Sequence, residues 1–217
     1  MTVYAFPNIE PSSNTVELVT NTKTFRSPIT NAVQTIGRKG SLWKISMTFN
    51  NLSGNQRAEM KAFLSKLNGQ EHRIYLQDHS AVRRGAAPEL TPDTVLVNGA
   101  GQTGPILLAD GPTGTVADYF KAGDYIAFNN ELHIVSEDVD LNAGVFQFEK
   151  PNNDLSTTTT NGIPLSPPIR KPTNDGDVID YKLPVVGVFM LASQSSWDTR
   201  PGLISNFSIE VVEDVLA

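Results

Sequence analysis

The chain has 217 residues, 39% of them hydrophobic, a formal net charge of -6 and no cysteine. That apolar content supports one packed domain or two small ones, and no apolar run approaches the roughly 20 residues of a membrane-spanning helix, so no membrane insertion is expected. The lack of cysteine removes disulfides, thiolate metal sites and cysteine nucleophiles together, and leaves burial or assembly as the sources of stability.

The N-terminal stretch MTVYAFPNIEP carries neither the basic region nor the apolar core of a signal peptide, so an intracellular product, or a particle assembled inside a cell, is expected. LWKISMTF then alternates strictly, with Trp43, Ile45, Met47 and Phe49 on one face and Leu42, Lys44, Ser46 and Thr48 on the other, which is the period of a half-buried strand. Ser53 lies three residues before Gln56, the spacing of a capping box, and Met60, Phe63, Leu64 and Leu67 form an i, i+3, i+4, i+7 stripe. These signals predict a helix from 54 to 67, stopped by Asn68-Gly69. HRIYLQD reads as a second strand with Ile74 and Leu76 inward. One amphipathic helix over a sheet is the local expectation.

After Arg83-Arg84-Gly85 the pattern loosens, and short strands are predicted at 94–97, 106–109, 124–128, 132–135 and 146–149, spaced as in a small barrel. Asn129-Asn130 suits a tight hairpin, and TVADYFK (115–121) reads as one helical turn. The run from Pro151 to Pro172 combines polar residues with prolines, and is expected as an extended return crossing rather than a central strand. Strand character resumes at 178–181, 185–191 and 204–212. The chain is therefore read as mainly β: an outer domain from residues 1–84 plus 174–217, a β-sandwich flanked by one α-helix, interrupted by an inserted small β-barrel over 85–173.

Charge follows the same division. Residues 1–85 hold 11 Lys+Arg against 5 Asp+Glu, residues 86–173 hold 4 against 11, and residues 174–217 hold 2 against 7. If the outer segments fold together they nearly neutralise one another, which gives little support to a surface built on phosphate contacts.

The motifs that carry chemistry fail on context. Gly99, Gly101 and Gly104 match G-x-G-x-x-G, yet Pro105 and a strand follow where a dinucleotide fold needs a helix, so a glycine-rich turn is preferred. Asp138, Asp140, Asn142 and Glu149 occupy positions 1, 3, 5 and 12 of a calcium loop, but Ala143 stands where glycine is required and strands flank it, so a plain turn is preferred there too. His72, His79 and His133 show no metal-ligand spacing, and neither a nucleophile elbow nor a P-loop occurs. No catalytic residue, cofactor or metal is expected. Trp43 reads as core, whereas Trp197, in the polar SSWDTRPG, is a candidate subunit contact. A carbohydrate- or receptor-binding reading would need Tyr119, Phe120 or Tyr125 exposed for sugar stacking, although Tyr125 belongs to an alternating strand.

Taken in order, Pro28, Trp43, the alternating strand, the AFLSKLNGQ helix end, IYLQD, AGDYIAF, the Pro-Pro-Ile-Arg return and the closing FSIEVVED resemble the distal tail proteins of long-tailed bacteriophages and related prophages. The resemblance implies a non-enzymatic structural part of the virion tail tip, assembled in the host cytoplasm. It also implies a six-subunit ring whose first domain is like the tail tube protein, and partners that include the tube protein, the hub protein and other tail-tip proteins. Genomic DNA would pass through the ring without specific binding. Lys44, Ser46 and Thr48 are then candidates for the channel face.

Overall fold

Strict alternation makes Leu42–Leu52 an 11-residue strand whose side chains at 43, 45, 47 and 49 are all buried. In the computed structural model, which describes residues 1–37, 40–87, 94–151, 156–193, 196–200 and 204–214, it is an interior strand of a seven-stranded sheet, one place in from an edge. Ile204–Glu213 pairs with it on one side and Ser13–Val19 on the other, both antiparallel. Beyond Ile204–Glu213 the order continues through Val186–Leu191 and Arg73–Gln77 to Val3–Ala5, which pairs in parallel at the far edge. Ser196–Arg200 pairs with the first half of Ile204–Glu213. The single sheet thus draws strands from both ends of the chain.

The predicted helix is Gly54–Leu67, and Met60, Phe63, Leu64 and Leu67 are its buried stripe. Asn68 ends it in the left-handed conformation, as the Asn-Gly stop requires. The capping box does not form. Ser53 sits at the N-cap without a side-chain hydrogen bond, because Gly54 enters the helix at φ 53° and turns the first amides away from the hydroxyl.

Mainly β structure in several sheets, one of them a curled half-barrel, holds for the rest of the molecule. A six-stranded sheet runs Thr115–Phe120, Val139–Asn142, Val145–Pro151, Ala109–Asp110, Leu96–Val97, with Thr157–Asn161 on the other side of Val145–Pro151. A four-stranded sheet runs Tyr125–Phe128, Glu131–Val135, Ile163–Ile169, Gly104–Leu107. Asn129 and Asn130, both at positive φ, close the hairpin expected of them.

Three further sequence expectations are corrected. Residues 115–120 form a strand, not a helical turn: a register shift between Val116 and Phe120, with Asp118 at φ 54°, lets the neighbours Tyr119 and Phe120 both be buried. The proline-rich return contains a central strand, Ile163–Ile169, between Glu131–Val135 and Gly104–Leu107. It tolerates proline because its ladder shifts register between Pro164 and Ile169, and because the prolines serve as acceptors, Pro164 from the Ser136 amide and Pro167 from the His133 ring. Residues 178–181 make only isolated bridges, Val178 to Leu96 and Asp180 to Ala127.

Two apolar cores result. The first joins the helix to the seven-stranded sheet; the second lies between the other two sheets and reaches to Ile179 and Tyr181, past residue 173. They share a wall. Ala127 and Leu132 belong to the first core while Ile126, Phe128 and Val135 belong to the second, so the Tyr125–Val135 hairpin has one face in each. Glycine at 187 permits this approach, since a Cβ there would stand 2.9 Å from Leu132 Cβ.

A buried polar cluster fixes the shared wall. Arg170 donates twice to Glu213, at 2.7 and 2.8 Å, and once to the Ser41 carbonyl. Glu213 also accepts the backbone amides of Trp43 and Leu132, and the Trp43 indole donates to the Leu132 carbonyl at 2.8 Å. Glu131 accepts the amides of Arg170 and Lys171, with the Arg170 guanidinium 3.6 Å away and the His133 ring at 3.3 Å. At the other end of the hairpin the Tyr125 hydroxyl donates to Asp78, which also accepts from Asn14.

Burial alone would raise the Glu131 carboxyl, but the His133 hydrogen bond and the Arg170 charge outweigh it and hold it below the ordinary value of 4.5. The stabilisation from this group is therefore complete above that value and is lost as pH falls through the lower folded-state pKa. Acid unfolding followed by circular dichroism should show a loss of stability below pH 4.5 that Glu131→Gln makes shallower. Removing one partner of a buried, hydrogen-bonded ion pair typically costs about 3–5 kcal/mol, so Arg170→Leu should lower the urea unfolding free energy by that order. Breaking the half-exposed Lys44–Glu210 pair with Lys44→Met should change it by about 1 kcal/mol or less.

Candidate functional site

The face of the seven-stranded sheet opposite the helix is built by the same alternation that builds the core. Its cross-strand rows are Ser13–Thr48–Ser208, Thr15–Ser46–Glu210 and Glu17–Lys44–Val212. Lys44, Ser46 and Thr48 thus stand together on one polar surface, half-buried by their neighbours. Lys44 Nζ lies 3.2 Å from Glu210, and the Ser13 and Thr48 hydroxyls are hydrogen-bonded. With Lys44 neutralised by Glu210, the remaining charge of these rows is Glu17. A hydroxyl-rich, weakly acidic face has no array of cations to grip phosphates.

The sheet ends in open edges. Among the described residues, Ser13–Val19 and Ser196–Arg200 each pair with one strand only, and Val3–Ala5 ends the opposite side. Unpaired margins of this length invite a strand or loop from another chain. Trp197 sits on such a margin. Its ring, 44% exposed, is tilted against Phe207 at 6.2 Å and covered by the Lys61 ammonium at 5.4 Å.

The sequence reading passed over an arm. Directly after Ser13–Val19, the strands Thr22–Arg26 and Val33–Gly37 form a separate two-stranded hairpin, exposed at every residue. Ser27 closes its tip by accepting from the amides of Ile29 and Thr30. The signal was present in the sequence, as two β-branched runs around Ser27-Pro28. Also overlooked was the cluster of Glu131, Arg170 and Glu213, whose members are scattered along the chain.

The other candidates are placed as follows. Tyr119 and Phe120 are core residues, packed edge-on at 5.0 Å, and Tyr125 is held by Asp78, so none of the three offers a face for sugar stacking. Burial and the Asp78 hydrogen bond push the Tyr125 phenol well above its ordinary value. Val139–Asn142 and Val145–Pro151 form a hairpin turning at Ala143-Gly144, both at positive φ, so the expected plain turn occupies the calcium-like stretch. Asp138, Asp140 and Glu149 line an acidic cleft with Asp118 and Glu137, and Asn142 pairs with Thr115 instead. Lys121 pairs with two of these carboxylates, 2.9 Å from Asp118 and 3.0 Å from Asp138. The Ala122 amide and Lys121 hold the Asp138 carboxyl below its ordinary value, and the Asp118 and Asp138 hydrogen bonds raise Lys121.

Gly99, Gly101 and Gly104 all take positive φ in a turn that leads into Gly104–Leu107, a strand. The histidines do not converge: His72 packs edge-on to Tyr4, His133 stacks on Phe128, and burial lowers His79. No group of three or more His, Cys, Asp or Glu suited to a metal ion occurs among the described residues.

A scan against protein-family models found no match, and neither did a search of curated proteins. Among the described residues, no helix is long and apolar enough to cross a membrane.

Because Lys121 already engages Asp118 and Asp138, and Asn142 is turned to Thr115, calorimetric titration with calcium should give no saturable heat at micromolar concentration. Saturable heat there that is abolished by Asp138→Asn would show that the cleft is a calcium site.

Proposed function

We propose that this chain is a ring-forming structural protein of a long-tailed phage tail tip or baseplate, joining the tail tube to the hub and fibres around the DNA channel. In this reading the seven-stranded sheet and its helix are a tail-tube-like sandwich, and the six- and four-stranded sheets are an inserted small barrel built mainly from 85–173. Six copies close into a ring, with Lys44, Ser46 and Thr48 turned to the channel. The role is structural, without a catalytic step.

The observation that carries the reading is the polar ladder around Ser46 on a sheet whose margins are open. A channel that lets DNA pass should offer hydroxyls and few unpaired cations, because each neutralised phosphate releases counterions and holds the duplex in place. Closure into a ring consumes the exposed edges that would otherwise template aggregation. Burial in the insert supports it as well: Tyr119 and Phe120 serve the core and not a sugar.

Native mass spectrometry of the full chain should find a closed oligomer, most simply six copies, at micromolar concentration. The same particles should show no retention of duplex DNA at physiological salt. A strict monomer that also fails to bind tube and hub proteins would contradict the proposal.

A further inference from the structure

His133 is fully buried, and both of its ring nitrogens face acceptors. Nδ1 lies 2.8 Å from the Pro167 carbonyl, which can only accept, so Nδ1 carries a proton. Nε2 is sealed from solvent, within ion-pair distance of Glu131 Oε2 at 3.3 Å. A neutral ring with its proton on Nδ1 would aim the bare Nε2 lone pair at that oxygen, one buried acceptor against another. Glu131 is itself held ionised by the amides of Arg170 and Lys171 and by the Arg170 guanidinium 3.6 Å away. The proton between ring and carboxylate therefore belongs to the ring.

Charge balance leads to the same place. Arg170 and a doubly protonated His133 are cations, Glu131 and Glu213 are anions, and their contacts join all four into a neutral cluster. With a neutral imidazole the cluster would leave one uncompensated negative charge in the wall between the two cores, which burial makes costly. The face of Phe128, stacked on the ring at 4.8 Å, also suits a cation.

The other titratable groups nearby are engaged elsewhere. On the strand paired with His133, the Tyr125 hydroxyl donates to Asp78, and Asp124 just before it accepts the amides of Arg84, Gly85 and Lys121. Neither Ile163–Ile169 nor Val186–Leu191 contains an ionisable side chain. Across the second core the Tyr119 and Tyr181 hydroxyls are bonded to each other, and Arg83 lies over the Tyr181 ring and donates to its carbonyl. Lys171 is half-buried and meets Glu131 through its amide, while Asp180 is exposed and bridges Ala127 through its backbone.

We propose that His133 is held as an imidazolium and makes the shared wall a proton-sensitive joint, tight while the ring keeps both protons and loosened when it loses one. The joint is independent of the assembly reading. An unfolded histidine gives up its second proton near about pH 6.5, so the stabilisation from a paired imidazolium is complete below that pH and is lost as rising pH strips the folded ring. Glu131 acts in the opposite sense, its contribution being lost as pH falls. The joint is tightest at intermediate pH.

Histidine-selective nitrogen-15 labelling of the full chain reads the ring directly, by magnetic resonance in solution or, for assembled particles, in the solid state. At about pH 7, His133 should show two protonated ring nitrogens. His72→Gln and His79→Gln assign the other two signals, so this result does not require a His133 variant that folds. Between about pH 6 and about pH 9, urea unfolding should show the wild-type folding equilibrium constant fall about tenfold or more relative to that of His133→Gln, whose side chain cannot titrate. Over the same range hydrogen exchange of the wild type, corrected for its intrinsic pH dependence, should rise first in Glu131–Val135 and Ile163–Ile169. A His133 ring with one bare nitrogen at neutral pH overturns the proposal. So do wild-type and His133→Gln stability profiles that run parallel, or exchange that rises equally in all the sheets.

Discussion

The fork between Arg170 and Glu213 is the constraint on which the remaining arrangement depends. Glu213 lies at the end of the last strand of the seven-stranded sheet, and Arg170 follows the last residue of the central strand of the four-stranded sheet. Their two hydrogen bonds therefore join the two bodies at a point where both are buried. Desolvating these charges is expensive, and the arrangement is stable because every carboxylate oxygen in the cluster has a donor or cation: Trp43, Leu132, Arg170, Lys171 and His133. A cluster of this kind specifies orientation more than it adds stability.

One consequence is mechanical. The Tyr125–Val135 hairpin belongs to the second body by hydrogen bonding and to the first by packing, since Ala127 and Leu132 are part of the helix-side core. A second body anchored through a shared hairpin, a glycine-permitted contact at Gly187 and a buried ion cluster does not swing as a bead on a linker. In the proposed ring, force on the insert would pass directly into Ile204–Glu213 and Leu42–Leu52, the strands that would surround the channel.

The sequence was most legible where one physical signal acted alone. Alternation located Leu42–Leu52 and Arg73–Gln77, and the i, i+3, i+4, i+7 stripe located the helix. Prolines misled in Ile163–Ile169, because Pro164 pairs on one side only and Pro167 and Pro168 fall in the register shift, where no ladder amide is required, and no local pattern announces that. The aromatic-rich 115–120 strand was misjudged because a bulge breaks its period. The polar ladder around Ser46 was readable from the side chains opposite the core, but the ion cluster was not. Glu131, Arg170 and Glu213 are brought together by topology, and isolated charges carry no spacing to read. The arm was legible in principle; its exposure was not, since β-branched runs ordinarily signal burial.

The assembly reading stands or falls on where the Ser46 face points. Ser46→Cys introduces the sole thiol of the chain, and a gold cluster attached to it can be located in electron micrographs of the assembled protein. Closed rings with a central hole and the gold at its rim are the predicted result. Gold on the outer circumference, or particles without a hole, would contradict it.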